Sequence, residues 1–111
     1  MTESFVYMTC ATMREAEDIG RVLVERRLAA CVNVLGAISS MYWWQGRVER
    51  GEEVSVIAKT RTELVPELTE AVRAMHGYDV PCVVALPIEG GNPDFLAWIR
   101  EETRPGGRGE G

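Results

Sequence analysis

The sequence predicts one α+β domain built on a single antiparallel sheet. Two short apolar runs, from Ser4 to Cys10 and from Cys82 to Leu86, are typical of buried strands. Between them lies a long β-prone segment, about residues 30–60, with a stretch of helical apolar spacing on each side of it. The order is therefore β-α-β-β-α-β, followed by a short C-terminal helix. This is the split βαβ, or ferredoxin-like, arrangement, which places both main helices on one face of the sheet.

The helices are located by their first turns. The first is expected over residues 12–27, where Thr12 and Glu15 fit a capping box in which each side chain satisfies the other residue's backbone N–H. The second is expected over about residues 62–76. The last follows Asn92-Pro93, which fits an N-cap with proline at the first helical position.

Composition excludes several classes of protein. The chain has 111 residues, a formal net charge of -5 and a pI of about 4.9, whereas nucleic-acid-binding domains present a basic patch. No apolar run approaches the ~18 residues that a transmembrane helix needs. The first strand follows the N-terminus directly, so we expect no signal peptide and a cytoplasmic protein. We assign residues 1–103 to the domain and expect the Gly- and Arg-rich residues 104–111 to be disordered.

The central β segment is expected to form a hairpin that outgrows the rest of the domain. Gly36 marks a bulge or bend, and Gln45-Gly46 and Arg50-Gly51 are rival turns that periodicity does not separate. A strand of about 14 residues spans roughly 46 Å, but a helix of about 15 residues covers only ~22 Å. Large side chains on residues 41–44 alternate between the two faces of the hairpin. We expect another subunit to cover these residues. They are Met41, Tyr42, Trp43 and Trp44.

Few side chains in this sequence are suited to metal or nucleophilic chemistry. Cys10, Cys31 and Cys82 lack CxxC spacing and lie in apolar runs, which predicts buried thiols rather than a disulfide framework or a zinc module. His76 is the one histidine, and a lone histidine is more often structural than a ligand. Lys59 is the one lysine beside eleven arginines. Because arginine cannot replace lysine where the amino group has a specific role, Lys59 is a candidate functional residue.

A series of segments, in order, carries a family resemblance. They are residues 28–33 (LAACVN), 42–46 (YWWQG), 57–60 (IAKT), 76–81 (HGYDVP), 85–88 (ALPI) and 95–99 (FLAWI). Together they resemble the CutA family, the divalent-cation tolerance proteins, over about residues 4–102. The resemblance implies a ferredoxin-like fold and a tight homotrimer packed through the long hairpins. This agrees with the aromatic hairpin, whose pattern by itself gives no stoichiometry.

The resemblance also implies a role in metal tolerance, with copper held by cysteine and histidine. Met8 aligns with a position where a ligand cysteine is expected, and Cys10, two residues on, shares its strand face. Met75 and His76 stand where a pair of histidines fits the family pattern. Sulfur and imidazole ligands bind copper more readily than they bind a hard cation such as magnesium. The expected metal ligands are therefore His76, Met8, Met75 and Cys10.

The family segments further predict a small-ligand pocket near a subunit boundary. They place polar groups among aromatic rings at strand ends and at the exit of the second helix, which is the usual make-up of such a pocket. Its expected members are Cys31, Tyr42, Lys59, Tyr78 and Asp79.

We expect a binding protein rather than an enzyme. A hydrolase of the acylphosphatase type needs a Gly-rich loop after the first strand, and residues 9–12 (TCAT) contain no glycine. A signalling trimer of the PII type, binding a metabolite or nucleotide, stays open as the alternative. Lys59 and Arg61 are available for a phosphate, but the acidic residues 49–53 suit one poorly.

Overall fold

The structure is a computed structural model that describes residues 2–105. It confirms the predicted α+β fold, with a four-stranded antiparallel sheet in the order β2-β3-β1-β4. The elements are β1 (Glu3–Cys10), α1 (Met13–Glu25), β2 (Cys31–Trp44), β3 (Arg47–Arg61), a 3-10 turn (Thr62–Leu64), α2 (Val65–Met75), β4 (Val83–Ile88) and α3 (Pro93–Glu102). No helix within residues 2–105 is long and apolar enough to cross a membrane.

The core lies between the sheet and helices α1 and α2. Val6, Met8 and Cys10 alternate along β1 and point into it, and all three are almost wholly buried. Leu23 from α1 and Leu68 from α2 pack against this face and are fully buried as well. Met8 and Cys10 therefore share one strand face, and it is the core face.

The first turn of α1 departs from the expected capping box. The Oγ1 atom of Thr12 accepts a hydrogen bond from the Glu15 N–H at 3.0 Å, as expected. The Glu15 carboxylate, however, accepts through Oε1 from the Ala11 N–H at 2.8 Å, one residue before the cap. Its other oxygen, Oε2, accepts a hydrogen bond from the Gly77 N–H, just after α2.

The hairpin turns at Gln45-Gly46, the first of the two rival positions. Both residues have positive φ, 50° and 78°, and Trp44 pairs directly with Arg47, as in a two-residue type I′ turn. The predicted bulge is confirmed at Gly36, where φ is 125° and the register shifts after Val34.

The hairpin extends beyond the rest of the sheet. Strand β1 ends where Cys10 pairs with Val54, so seven further β2–β3 pairs, over residues 38–44 and 47–53, have no third strand beside them. We call residues 38–53 the hairpin arm; its seven pairs span about 23 Å. The exposed fractions of its large side chains are 73% for Met41, 45% for Tyr42, 74% for Trp43 and 47% for Trp44.

Arg104, which follows α3, contacts two distant segments of the chain. The guanidinium of Arg104 pairs with Glu67, and the Arg104 N–H donates to the carbonyl of Arg27 at 3.1 Å. Composition gives no sign of these long-range partners of Arg104, the first residue of the segment expected to be disordered. Residues 106–111 lie outside the described residues.

Candidate functional site

One group of potential metal ligands lies where β1, α1 and the end of α2 meet. Ligand atoms of Cys10, Glu15 and His76 all fall within 4.8 Å of one another. Cys10 and His76 come together as the sequence predicted, and Glu15 was missed. Met8 lies on the same strand face with its side chain wholly buried in the core, and Met75, the last residue of α2, is 38% exposed.

The imidazole of His76 is committed to two hydrogen bonds. Its side chain is fully buried. Nε2 donates to the Thr9 carbonyl at 2.7 Å, and Nδ1 accepts from the Tyr78 N–H at 3.1 Å. A carbonyl can only accept and an amide N–H can only donate, so the ring is neutral with its proton on Nε2. His76 also lies at the C-cap of α2, and its own N–H donates to the Val72 carbonyl at 2.9 Å.

Glu15 joins the start of α1 to the segment after α2. Besides the Ala11 N–H, its carboxylate accepts through Oε2 from the Gly77 N–H at 2.9 Å, and Oε1 lies 3.9 Å from Nε2 of His76. A Cβ atom at Gly77 would stand only 3.2 Å from Oε2, so glycine permits this close approach. The sequence marked Glu15 as a helix cap, but its bond to Gly77 depends on tertiary structure.

The Cys10 thiol is protonated at neutral pH. Burial raises its pKa from 9.0 to about 11, and the nearby carboxylates of Glu15 and Glu53 add to the effect. A thiolate is the form that binds metals and attacks electrophiles. Cys10 therefore has to lose a tightly held proton before it can do either.

A cavity of about 750 Å³ lies beside this cluster, between the hairpin arm and the segment that follows α2. Residues 40–44 of the arm form one wall and residues 77–80 form the other, with Thr9, Glu53 and Cys82 between them. Its volume is in the usual range for small-molecule sites. Of the five residues predicted for a pocket, it contains Tyr42, Tyr78 and Asp79.

Cys31 and Lys59 do not line this cavity within the chain, so a single chain brings together three of the five residues predicted for a pocket at a subunit boundary. The two residues pair directly across β2 and β3. Cys31 lies eleven residues before Tyr42 on β2, roughly 36 Å along an extended strand, and Lys59 lies beside Cys31 on β3. Lys59 Nζ donates to Asn33 Oδ1 at 2.7 Å and lies 5.9 Å from the centre of the Phe95 ring.

The cavity has a negative electrostatic character. The Tyr78 hydroxyl donates to Glu53 Oε1 at 3.2 Å, and burial together with Glu53 raises the pKa of Tyr78 to about 12. Burial and Glu53 also raise the pKa of the Cys82 thiol. The hydrogen bond from Tyr78 places the Glu53 carboxylate at the cavity wall.

The chain is similar to proteins of one family along nearly its whole length. The family profile described as CutA1 divalent ion tolerance protein matches residues 4–102. The divalent-cation tolerance protein CutA of Archaeoglobus fulgidus is 46% identical over 98 residues, which make up 88% of this chain and 95% of that protein. Protein CutA of Mus musculus is 47% identical over 100 residues, 90% of this chain. The chain spans only 56% of the length of the mouse protein.

Solved structures of the family share the fold. The divalent cation tolerance protein of Thermus thermophilus gives a TM-score of 0.90 at 45% identity, covering 92% of this chain and 99% of that one. CutA1 of Oryza sativa gives a TM-score of 0.91 at 42% identity, covering 94% of this chain and 95% of that one. The solved A. fulgidus protein is described as periplasmic, and a rice relative as chloroplastic. This chain therefore belongs to the CutA1 divalent ion tolerance protein family.

Proposed function

We propose that the protein works as a homotrimer assembled through its hairpin arm. The arm carries Met41 and Trp43 about three-quarters exposed, and Tyr42 and Trp44 nearly half exposed. Contiguous apolar surface of this kind is typical of an interface, and each large side chain left in water forfeits ~1.5–3 kcal/mol. Three is the number of copies that the family resemblance implies.

A second exposed apolar surface gives the arm a place to dock. Val84 and Leu86 of the edge strand β4 are more than half exposed. They pair with Tyr7 and Phe5 of β1, whose side chains alternate with the core residues and so lie on the face of the sheet away from α1 and α2. An arm that packs on this face of the next copy makes a head-to-tail contact, and such contacts close into a ring when the rotation allows.

Sedimentation velocity at micromolar and at nanomolar concentration tests the assembly. The expected result is one species of about three times 12.3 kDa at both concentrations. Trp43→Glu, which puts a charge on the arm, should dissociate it. Val24→Glu, at a 40% exposed apolar residue of α1 outside both surfaces, is the matched control and should stay assembled. A wild-type species of 12.3 kDa at micromolar concentration would refute the proposal.

We further propose that Cys10, Glu15 and His76 bind a soft metal ion such as copper. The family is one of divalent-ion tolerance, and sulfur and nitrogen donors select soft ions. Binding has a defined local cost. Cys10 must lose its proton, and a metal on Nε2 of His76 moves the ring proton to Nδ1, where the Tyr78 N–H now donates. The affinity is therefore expected to rise with pH.

Titration of Cu(I) against a chromophoric competitor, without oxygen and at pH 7 and 8.5, tests this site. Cys10→Ala and His76→Ala should each weaken binding at least tenfold, and magnesium should not compete. Cys82→Ala removes a free thiol outside the cluster and should change nothing. Circular dichroism shows whether each variant is folded. Unchanged copper affinity in folded Cys10→Ala would mean that the metal site is wrongly assigned.

We infer that the protein acts by binding rather than by catalysis. The ring of His76 has both nitrogens engaged, so it is not free to act as a general base. Cys10 is held as the thiol, which is a poor nucleophile. Turnover of an acyl phosphate or an ester that disappears in Cys10→Ala would contradict this inference.

The PII-type alternative draws little support from its two basic residues. Lys59 donates to Asn33 at 2.7 Å, and Arg61 donates through Nε to Thr103 Oγ1 at 3.0 Å, so phosphate would have to compete with internal partners. Calorimetry with ATP is expected to show no saturable binding. Saturable binding that Lys59→Ala abolishes would favour a signalling role instead.

We propose the cytoplasm as the compartment. Cys10, Cys31 and Cys82 are all free thiols in the structure, and free thiols persist in reducing compartments. Relatives described as periplasmic and chloroplastic show that the family is not confined to one location. Fractionation of the native host with an antibody to the chain tests the assignment, and recovery outside the cytoplasm would refute it.

A further inference from the structure

Residues 77–80 are held in place by side chains of the Cys10, Glu15 and His76 cluster. These four residues follow α2 and belong to no helix or strand. The Gly77 N–H donates to Glu15 Oε2 at 2.9 Å, and the Tyr78 N–H donates to Nδ1 of His76 at 3.1 Å. Two of the three cluster side chains therefore fix two consecutive backbone amides at the start of this segment.

A metal ion at the cluster is incompatible with one of these two bonds. A ring nitrogen binds a metal through its lone pair, so an ion on Nε2 of His76 replaces the proton that Nε2 now donates to the Thr9 carbonyl at 2.7 Å. The neutral ring then carries its proton on Nδ1, and an N–H group cannot accept a hydrogen bond from the Tyr78 N–H. Glu15 can bind the ion through Oε1 and keep Oε2 for Gly77. The Tyr78 N–H is therefore the group that loses its partner.

Tyr78 also connects the cluster to the base of the hairpin arm. Its ring centre lies 4.7 Å from that of His76, and its hydroxyl donates to Glu53 Oε1 at 3.2 Å. Glu53 is the last residue of the arm, and the next residue, Val54, pairs with Cys10 at the end of β1. Within the described part of the chain, no third strand lies beside the arm beyond this point. Side-chain contacts at its base therefore help to set the direction in which the arm leaves the sheet.

We propose that metal binding at the cluster weakens assembly through the arm, and that Tyr78 is the residue that couples the two. This inference rests on the proposed metal site and on the proposed trimer. When the ion occupies Nε2 of His76, the backbone of Tyr78 moves away from the ring and its hydroxyl no longer reaches Glu53. The arm then leaves the sheet in a direction that fits the next copy less well. Coupling of this kind is reciprocal, so the trimer binds the metal less tightly than the dissociated chain does, by the same factor.

Hydrogen exchange with and without Cu(I), in the absence of oxygen, tests the local step. The Tyr78 amide should exchange at least tenfold faster in the copper-loaded protein. The His76 amide, which donates to the Val72 carbonyl at 2.9 Å, is the internal control and should stay protected. Titration against a chromophoric competitor shows how much copper is bound. If no copper binds, the proposed metal site is refuted; if copper binds and the Tyr78 amide exchanges at its original rate, the metal site stands and the coupling is overturned.

Sedimentation equilibrium with and without Cu(I) tests the effect on assembly. Copper should raise the dissociation constant of the wild-type trimer at least tenfold. Tyr78→Phe keeps the backbone N–H but loses the bond to Glu53, so copper should change its dissociation constant less than threefold. Tyr42→Phe, which removes a phenol of the arm and leaves the Tyr78 bond in place, is the matched control and should respond as the wild type does. An unchanged wild-type dissociation constant with copper bound, or an equal copper effect in Tyr78→Phe, would overturn the proposal. Circular dichroism shows whether each variant is folded.

Discussion

Glu15 holds the wall of the cavity in place, and its removal has a calculable effect. Its carboxylate accepts from the Ala11 N–H at 2.8 Å and from the Gly77 N–H at 2.9 Å, and its side chain is 19% exposed. Hydrogen bonds to charged groups contribute about 1.5–3 kcal/mol each, and partial exposure favours the lower end of that range. Two such bonds at the lower end of the range mean that Glu15→Ala should reduce the free energy of unfolding by about 3 kcal/mol per subunit. Glu15→Gln, which keeps one acceptor, should cost about half of that.

Guanidinium unfolding at one fixed protein concentration measures the loss, because assembly contributes to apparent stability. Hydrogen exchange gives the local effect: the Gly77 and Tyr78 amides should exchange much faster in Glu15→Ala, while amides of β1 stay protected. Glu17→Ala, at an exposed glutamate of the same helix, is the control and should change stability by less than ~0.5 kcal/mol. If Glu15→Ala behaves like Glu17→Ala, the carboxylate does not hold this segment and the reasoning fails.

Three further changes probe the interface, the core and the thiol. Trp44→Ala should raise the dissociation constant of the assembly at least 30-fold, the equivalent of ~2 kcal/mol, and Trp98→Ala on α3 much less; equal shifts in sedimentation equilibrium would contradict the interface. Gly20→Ala should lower the unfolding free energy by about 1–2 kcal/mol despite better helix propensity, because its Cβ would lie 2.9 Å from Val32 Cγ1; a loss that Val32→Ala does not relieve would contradict the packing. Folding raises the Cys10 pKa from 9.0 to about 11. The buried neutral thiol therefore makes its full contribution to the free energy of unfolding below pH 9, and this contribution is lost as the pH rises through 11. The loss is up to ~2.7 kcal/mol, and Cys10→Ala should lack it in alkaline unfolding curves.

Local patterns were sufficient to predict the fold. The alternation of Val6, Met8 and Cys10 along β1 and the helical spacing of α1 follow from side-chain periodicity, and each is visible without knowledge of a partner element. The turn was undecided because Gln45-Gly46 and Arg50-Gly51 are both acceptable locally. The register of β2 against β3, which no local pattern encodes, selects the first.

The site was predicted only in part because its contacts join distant segments. Cys31 and Lys59 were grouped with Tyr42 since all lie in family segments, yet on an extended strand eleven residues are a long distance. Glu15 was identified as a cap, but a capping box gives no information about a second acceptor bond to Gly77, 62 residues later. Glu53 was recognised only as one of the acidic residues 49–53. Only the position of Tyr78 shows that it faces the cavity.

The metal cluster and the cavity depend on the same short segment of chain. Neutral His76 now accepts from the Tyr78 N–H through Nδ1, and a metal on Nε2 would move the ring proton to Nδ1 and remove that bond. The ring of Tyr78 forms part of the cavity wall, and its hydroxyl donates to Glu53. A metal at the cluster therefore requires a different arrangement of a residue that lines the cavity. Linkage makes the effect reciprocal: any contact that holds Tyr78 in its present arrangement lowers the affinity of the cluster for copper by the same factor by which copper weakens that contact.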